Sequence, residues 1–375
     1  MTPKERILAI FDGQTPDVMP WFADLTYWYN AQSHAGTLPD KYRGDGVIQL
    51  YKDLGCGAHE HVLNLPAKIT YDDQVKITTQ EELDVQGVPK ARITTWQTPI
   101  GTLRQVEHWV PRAYTWAYRE YPVKSPAELP ILRYILDSQE VMPSYETQIR
   151  QIEAWGDWGV ASSIPPRSPL ACLFVVWMGV VNTVYAMADA IDEVEKTLAT
   201  LSRSQDEIYE IIEQSPAPLV YFGENISSEV VGVTNFEKYY APYYHKRVPG
   251  LHEHGKRIFV HVDGTLRGVL PLMGETGIDC VQSVVPAPIG DVAVEDLRKL
   301  AGPDVILWGG LPGALFSPTY PEDLLRDMVM ECIDHHLEGA KFILGVADQV
   351  PPDGLIDRVR MVTELVEEHG HYRWV

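Results

Sequence analysis

Residues 256–264 read KRIFVHVDG, and this stretch decides the fold class of the chain. The apolar run at 258–260 predicts a strand that is covered on both faces, and it ends on the polar side chains of His261 and Asp263. Because these two residues lie two apart, they leave an extended chain on the same side. In barrel enzymes the catalytic groups lie at such strand ends. An alternative stays open, in which His261 is a core histidine bonded to a backbone carbonyl and Asp263 caps a helix.

Short apolar runs of this kind alternate with helical patterns along most of the chain. The predicted strands lie at about 18–25, 59–63, 158–164, 219–222, 256–261, 278–283, 305–308 and 342–344. A strand followed by a helix at this cadence indicates parallel pairing with right-handed crossovers. Eight such units predict an α/β protein with a (β/α)8 TIM-type barrel.

A segment near the N-terminus has a different pattern. From about 68 to 110, apolar and polar residues alternate between turn signals such as Pro99-Ile100-Gly101. This period predicts a small antiparallel β insertion. We therefore predict one domain over 1–375, a barrel that carries a β-rich insertion at about 68–110.

Composition excludes several classes of function. The formal charge of -21 argues against binding to a polyanion, so we expect no nucleic-acid partner. Four cysteines without a CxxC pair, and an opening MTPKERILAIF that predicts a capped helix and not a signal peptide, favour a cytoplasmic location. The long apolar stretch 170–188 contains Asn182 and Thr183, so we expect a buried helix there and no membrane partner.

Polar side chains follow most of the predicted barrel strands. They are Glu224, Asn225, His261, Asp263, Gln282 and Asp348, with Trp308 at a further strand end. Each of them alone fits a helix cap or a structural hydrogen bond, but together they predict a functional site at the barrel mouth. Several carboxylates and one histidine could hold a divalent metal ion such as zinc. The aromatic residues Trp21, Tyr27 and Trp28 follow the first strand, and they fit either a core or lid cluster or a wall for a flat substrate.

Several motifs carry a resemblance to a known family. They are TPKERILAIFDGQTPDVMP (2–20), TPIGTL (98–103), FVHVDG (259–264), VVPAPIGDV (284–292) and ILWGGLPG (306–313). Together they resemble the uroporphyrinogen decarboxylase superfamily, and within it most of all the corrinoid-dependent methyltransferases, including the methyltransferase components of anaerobic O-demethylases. The resemblance implies a (β/α)8 barrel, a zinc centre, and methyl transfer in concert with a cobalamin-carrying corrinoid protein.

The metal ligands expected from this resemblance differ from the thiolate pattern of related methyltransferases. Those enzymes have His-x-Cys on this strand and another cysteine near the last one, whereas this chain has Asp263 at the first cysteine position and GVADQVPPDG at the last strand. A thiolate zinc site is thus excluded. The resemblance to O-demethylase components instead implies Glu224, His261 and Asp263 as zinc ligands, a set that would act as a Lewis acid.

Two other interpretations stay open. A uroporphyrinogen decarboxylase would need basic groups near the N-terminus for a polycarboxylate substrate, and 21–30 contains no arginine. A barrel that only binds a ligand or a corrinoid protein would also lack the cysteines, and its metal content after purification would separate it from an enzyme.

We therefore predict a methyltransferase that transfers a methyl group from a small methylated substrate to the Co(I) of a corrinoid protein. The substrate class that we expect is a methoxylated aromatic. The predicted catalytic residues are His261, Glu224 and Asp348. The predicted substrate contacts are Trp21, Tyr27, Trp28, Asn225, Gln282 and Trp308. A homodimer is a further option for its assembly.

Overall fold

A computed structural model describes residues 1–44, 46–85 and 87–372. Its strands are β1 (Trp21–Phe22), β2 (Leu63–Asn64), β3 (Ala67–Tyr71), β4 (Lys76–Leu83), β5 (Pro89–Thr98), β6 (Gly101–Val110), β7 (Thr115–Glu120), β8 (Gln139–Pro143), β9 (Ser162–Ser163), β10 (Leu219–Ile226), β11 (Arg257–Val262), β12 (Cys280–Val284), β13 (Ile306–Pro312) and β14 (Phe342–Ala347).

The helices alternate with these strands over most of the chain. They are α1 (Pro3–Phe11), α2 (Thr26–Ala35), α3 (Gly46–Leu54), α4 (Leu129–Asp137), α5 (Glu146–Trp155), α6 (Pro169–Ala171), α7 (Val180–Asp189), α8 (Ile191–Ser204), α9 (Asp206–Glu213), α10 (Gly232–Asn235), α11 (Ala241–Glu253), α12 (Leu270–Met273), α13 (Val294–Ala301), α14 (Glu322–His336) and α15 (Ile356–His369). Two π-helical turns, Cys172–Trp177 and Phe236–Tyr240, interrupt the regular helices. In the described part of the chain, no helix is long and apolar enough to cross a membrane.

The chain divides into two compact units. The first contains residues 1–66, 145–165 and the chain from 213 onward, and the second contains 67–144 and 166–212. The prediction that the whole chain is a single domain stays a prediction.

The first unit is the predicted barrel. Its parallel strands follow the order β1-β14-β13-β12-β11-β10-β9-β2. The segment before β2 joins the two ends of this sheet, because Gly57 pairs with Phe22 of β1 and Ala58 pairs with Gly159 just before β9. The (β/α)8 fold is therefore confirmed. Strand-to-helix alternation in the sequence has a direct cause here, since each parallel strand needs a crossover helix to return the chain.

The second unit contains the predicted antiparallel sheet. Strands β4 to β7 pair in sequence order, and β3 pairs separately with β8. The four-stranded sheet runs from Lys76 to Glu120, ten residues beyond the predicted end at about 110. Its last hairpin was missed because residues 111–114 contain few of the usual turn residues.

The prediction of one buried helix over 170–188 is wrong. The helix breaks at Gly179, which has φ +77° and whose missing Cβ leaves room for the ring of Tyr121 at 2.6 Å. The helix α7 that follows buries Thr183 and Ala186 and exposes apolar side chains instead. A periodic pattern indicates which residues share a face, but it does not tell which face is covered.

Candidate active site at the carboxyl ends of the barrel strands

A histidine–glutamine pair lies at the ends of β11 and β12. The two residues are register partners, and Gln282 is also the register partner of Trp308 on β13. Both His261 and Gln282 are buried, and His261 Nδ1 lies 2.7 Å from Gln282 Oε1. Because an amide oxygen only accepts, Nδ1 of His261 donates the proton in this bond. The pair fixes the ring orientation of His261 and keeps a proton on Nδ1.

Trp308 belongs to an aromatic cluster inside the barrel. Its ring centroid lies 4.6 Å from that of His59, 5.2 Å from Phe259 and 5.6 Å from Phe22. Gly345 on β14 leaves the space for the indole, since a Cβ there would lie 2.7 Å from Trp308 Nε1. Trp308 is 1% exposed and supports the site as a core residue. Its predicted role in substrate contact stays a prediction.

The structure adds three residues that the sequence analysis missed. Asp24 follows β1, and His59 and Glu60 follow the barrel segment Gly57-Ala58. His59 is buried, and its Nδ1 lies 3.3 Å from Glu60 Oε1. Desolvation by burial, together with the neighbouring His261 and His61, lowers the pKa of His59 to about 3. His59 is therefore a neutral imidazole near pH 7.

Three carboxyl groups in this unit have raised pKa values, mainly because burial desolvates them. Burial raises the pKa of Asp24 to about 7, and Asp348 contributes, although Thr26 and Gln349 donate hydrogen bonds that oppose the shift. Burial, with Asp24 and Asp348 nearby, holds the pKa of Glu60 well above its usual range. Asp348 keeps solvent contact, yet desolvation and Asp263 raise its pKa while His261 lowers it. Both desolvation and nearby carboxylates disfavour the charged form of a carboxyl group, and Asp24, with its pKa of about 7, is partly protonated near neutral pH.

Backbone strain is concentrated at the same strand ends. Asn225 near the end of β10, Ser283 in β12 and Asp348 after β14 all have positive φ, at 56°, 71° and 65°. The Asp348 N–H donates to Ser283 Oγ at 2.9 Å, which ties two of these positions together. Left-handed conformations of residues other than glycine cost of order 1 kcal/mol each and cluster at functional sites. Their position supports the assignment of the site to this end of the barrel.

The predicted zinc ligands do not form a metal-binding group. Glu224 is buried within β10, whereas Asp263 is exposed and accepts a hydrogen bond from Asn225 Nδ2 at 3.4 Å. Across residues 1–44, 46–85 and 87–372, no three histidine, cysteine, aspartate or glutamate side chains converge as metal ligands. All four cysteines are free and buried. The zinc set Glu224, His261 and Asp263 stays a prediction, and we derive no step from it.

The aromatic residues after β1 have separate roles. Trp21 donates from Nε1 to Thr363 Oγ1 on α15 at 3.0 Å, so its indole faces the helix layer and not the barrel interior. Trp28 is buried and donates to the Gly354 carbonyl at 2.9 Å, which holds the loop after β14. These contacts give Trp21 and Trp28 structural roles, and their predicted substrate roles stay predictions. Tyr27 differs, because desolvation and the charge of Asp348 raise the pKa of its phenol, which indicates that Tyr27 lies near Asp348.

Comparisons with known proteins agree with this fold. The sequence model of the family "Uroporphyrinogen decarboxylase (URO-D)" matches residues 169–369, which is more than half of the chain. A comparison with curated proteins gives no significant match.

Solved structures were compared as well. A methyltransferase from Methanosarcina mazei superposes with a TM-score of 0.61 at 13% identity, over 98% of this chain and 99% of that chain. A D-psicose 3-epimerase gives a TM-score of 0.34 at 10% identity, over 65% of this chain and 82% of that one. A 3-dehydroquinate dehydratase from Geobacillus kaustophilus HTA426 gives 0.31 at 14% identity, over 66% and 77%. The first match supports the fold over the full length, and the other two scores are too low to support an argument. The family model matches more than half of this chain, and the barrel closes as predicted. This chain therefore belongs to the uroporphyrinogen decarboxylase family.

Proposed function

We propose that the protein is a methyltransferase that moves a methyl group from a small methylated donor to the Co(I) of a separate corrinoid protein. Membership of the family and a fold shared along the whole chain with a methyltransferase support this proposal. The observation that carries it is the group of carboxyls with raised pKa at the barrel mouth, namely Asp24, Glu60 and Asp348.

These carboxyl groups can supply the proton that the leaving oxygen of an ether donor needs. An alkoxide or phenoxide is a poor leaving group unless a proton or a metal neutralises its developing charge. In our proposal the electron pair of Co(I) forms the bond to the methyl carbon while the carbon–oxygen bond breaks. The electron pair of that bond goes to oxygen, and the proton of Asp24 or Glu60 transfers to it. The products are methyl-Co(III) and the free alcohol or phenol, and solvent returns the proton to the carboxylate.

The other residues of the site bind and orient the donor. The imidazole of His261 keeps a fixed orientation, because Nδ1 donates its proton to Gln282 Oε1. Tyr27 contributes an aromatic surface beside Asp348. Corrinoid, when brought by its partner protein, supplies the nucleophilic cobalt that protein side chains cannot replace.

The decarboxylase alternative is disfavoured by charge. A carboxylated substrate would meet Asp24, Glu60 and Asp348, whose pKa values are already raised by burial and by repulsion from neighbouring carboxylates. A further carboxylate would add to this repulsion. A neutral or cationic methyl donor would not add to this repulsion.

The test uses the purified protein with a reduced corrinoid protein and a panel of methoxylated aromatics and methylamines. We expect the Co(I) absorption spectrum to convert to that of methyl-Co(III) with at least one donor. His261→Ala and Asp24→Asn should slow this conversion, whereas Trp21→Phe should not, because Trp21 contacts α15. Release of CO2 from a carboxylated substrate, with no methyl-Co(III) from any donor, would replace this proposal by the decarboxylase. Metal analysis of the same preparations tests the zinc prediction independently.

A further inference from the structure

A buried tyrosine on α3 contacts the backbone on both sides of Asp24. The Tyr51 hydroxyl donates to the Ala23 carbonyl at 3.1 Å and accepts from the Leu25 N–H at 3.1 Å. Tyr51 is fully buried, and the first of these bonds uses its only hydroxyl proton, so it cannot donate to a substrate. The two bonds hold the peptide groups that flank Asp24. They therefore fix the direction in which the Asp24 side chain leaves the backbone.

The ring of Tyr51 packs against the segment that carries Glu60. Its centroid lies 5.5 Å from that of His61, at an interplanar angle of 85°, and 5.3 Å from that of Trp155. His61 directly follows Glu60 and stacks on Trp155 at 5.6 Å. Edge-to-face and stacked packing of this kind favours a defined arrangement of the rings. The ring of Tyr51 is therefore held by its neighbours, and its hydroxyl has a defined position against residues 23–25.

Further hydrogen bonds hold Asp24 itself. Its carboxyl Oδ1 accepts from Thr26 N–H at 2.8 Å and from Thr26 Oγ1 at 2.5 Å. The Asp24 carbonyl accepts from the N–H of Val350, two residues beyond Asp348, at 2.9 Å. The segments after β1 and β14 thus meet at Asp24, and Tyr51 holds this point from a third segment, α3. Asp24 is also one of the two proton donors in the proposed reaction.

The titratable groups around Asp24 come from three segments. They are Tyr51 on α3, Glu60 beside His61, and Asp348 after β14. Burial, together with the charge of Asp24, holds the pKa of Tyr51 well above its usual range. Tyr51 is therefore a neutral phenol near pH 7, which can donate one hydrogen bond and accept another.

We propose that Tyr51 is a positioning residue whose hydroxyl holds Asp24 in the orientation for proton transfer to the leaving group. This proposal rests on the proposed methyl transfer, since it assigns Tyr51 a role in that reaction. Displacement of a reacting group by about 1 Å can cost roughly a hundredfold in rate. Because Tyr51 does not contact the substrate, its loss should lower kcat and leave the KM for the donor unchanged. A tyrosine that only fills the core would affect stability alone.

Tyr51→Phe keeps the ring and removes both hydrogen bonds. We expect kcat for the formation of methyl-Co(III) to fall roughly tenfold, the equivalent of one hydrogen bond, at an unchanged KM. Water beside the released backbone would ease the desolvation of Asp24, so the pH at which the rate falls should move down by roughly one pH unit. Tyr42→Phe is the matched control, because the Tyr42 hydroxyl donates to Asp53 Oδ2 on the same helix at 2.9 Å. It should change neither quantity.

The stability of the folded chain gives a second readout, which does not need the reaction. Asp24→Asn should stabilise the native chain at pH 8, because a buried carboxylate no longer has to ionise. In the Tyr51→Phe background this gain should be smaller, since Asp24 is less desolvated there, and in the Tyr42→Phe background it should be unchanged. A chain that yields no methyl-Co(III) from any donor fails the proposed function. An unchanged gain in Tyr51→Phe fails the role of Tyr51, so the two failures are distinguishable.

Amide exchange of the native chain provides a test that does not depend on whether Tyr51→Phe folds. The Leu25 N–H should exchange slowly, because it donates to a buried hydroxyl. Fast exchange at Leu25 would overturn the proposal. A folded Tyr51→Phe that keeps the native kcat and the native pH profile would overturn it as well, and so would an equal loss of rate in Tyr42→Phe.

Discussion

Gln282 accepts a hydrogen bond from His261 across the β11–β12 register, with 2.7 Å between Oε1 and Nδ1. The sequence suggested that Gln282 contacts the substrate, but in the structure it is 2% exposed and contacts the histidine. Gln282 is therefore a positioning residue in the proposed reaction. Its effect on the substrate passes through His261.

Substitution of Gln282 tests this role. Gln282→Leu removes the acceptor and leaves His261 Nδ1–H unpaired in a buried site, so we expect stability to fall by about 1–3 kcal/mol. Loss of the fixed ring orientation should slow methyl transfer by roughly threefold to tenfold, the equivalent of one hydrogen bond. Gln282→Glu keeps an acceptor at this position and should retain more activity than Gln282→Leu. Equal loss in both variants would argue that position 282 binds the substrate directly.

The raised pKa of Asp24 predicts how stability depends on pH. Its folded pKa of about 7 lies above the value near 4 of an unfolded aspartate. Between these values the folded state keeps a proton that the unfolded state has lost, so stability falls as pH rises from about 4 to 7. Asp24→Asn cannot ionise and still accepts from Thr26 N–H. We expect the free energy of unfolding of Asp24→Asn to exceed that of the native chain by roughly 2–4 kcal/mol at pH 8 and to differ little from it at pH 4.

Activity should also fall with rising pH as the same group loses its proton. If Asp24 donates the proton to the leaving oxygen, the rate of methyl transfer falls as pH rises through about 7. In Asp24→Asn this limb of the pH profile should disappear along with most of the rate. A profile that keeps its limb in the variant would assign the proton to Glu60 or Asp348.

Trp21 is expected to be structural. Trp21→Phe removes the bond from Nε1 to Thr363 Oγ1 and should lower stability by about 1 kcal/mol without changing the rate of methyl transfer. Thr363 Oγ1 also donates to the Leu54 carbonyl, so Thr363→Val should be more destabilising than Trp21→Phe. Denaturant unfolding measures both. A lower rate of methyl transfer in Trp21→Phe at unchanged stability would support the predicted contact of Trp21 with the substrate.

The barrel could be predicted because its later strands are long apolar runs. The segment KRIFVHVDG became β11, and the runs at 278–283, 305–308 and 342–344 became β12 to β14. The early strands are short, since β1, β2 and β9 have two residues each. Two residues carry no periodic pattern, and the segment Gly57-Ala58 that completes the barrel pairs through isolated bridges.

This difference in strand length also explains which site residues could be predicted from the sequence. His261 and Gln282 lie in β11 and β12 and Asp348 follows β14, so their apolar neighbours indicated where each strand ends. Asp24, His59 and Glu60 follow the shortest segments, and the only available signal was polar residues directly after Trp21-Phe22-Ala23 and after Gly57-Ala58. The orientation of Trp21 could not be predicted either, because a shift of one residue in a strand reverses the side that each side chain faces.

The break before α7 gives the last prediction. Gly179 has φ +77° and ψ 156°, a region that residues other than glycine essentially do not adopt, and a Cβ there would lie 2.6 Å from the ring of Tyr121. Gly36 provides the matched control, since it has φ +70° in the left-handed helical region with nothing within 4 Å. We expect Gly36→Ala to lower the free energy of unfolding by about 1 kcal/mol and Gly179→Ala to lower it by roughly 3 kcal/mol or more. Equal destabilisation by the two substitutions in denaturant unfolding would show that the ring of Tyr121 moves aside and that the break does not depend on this contact.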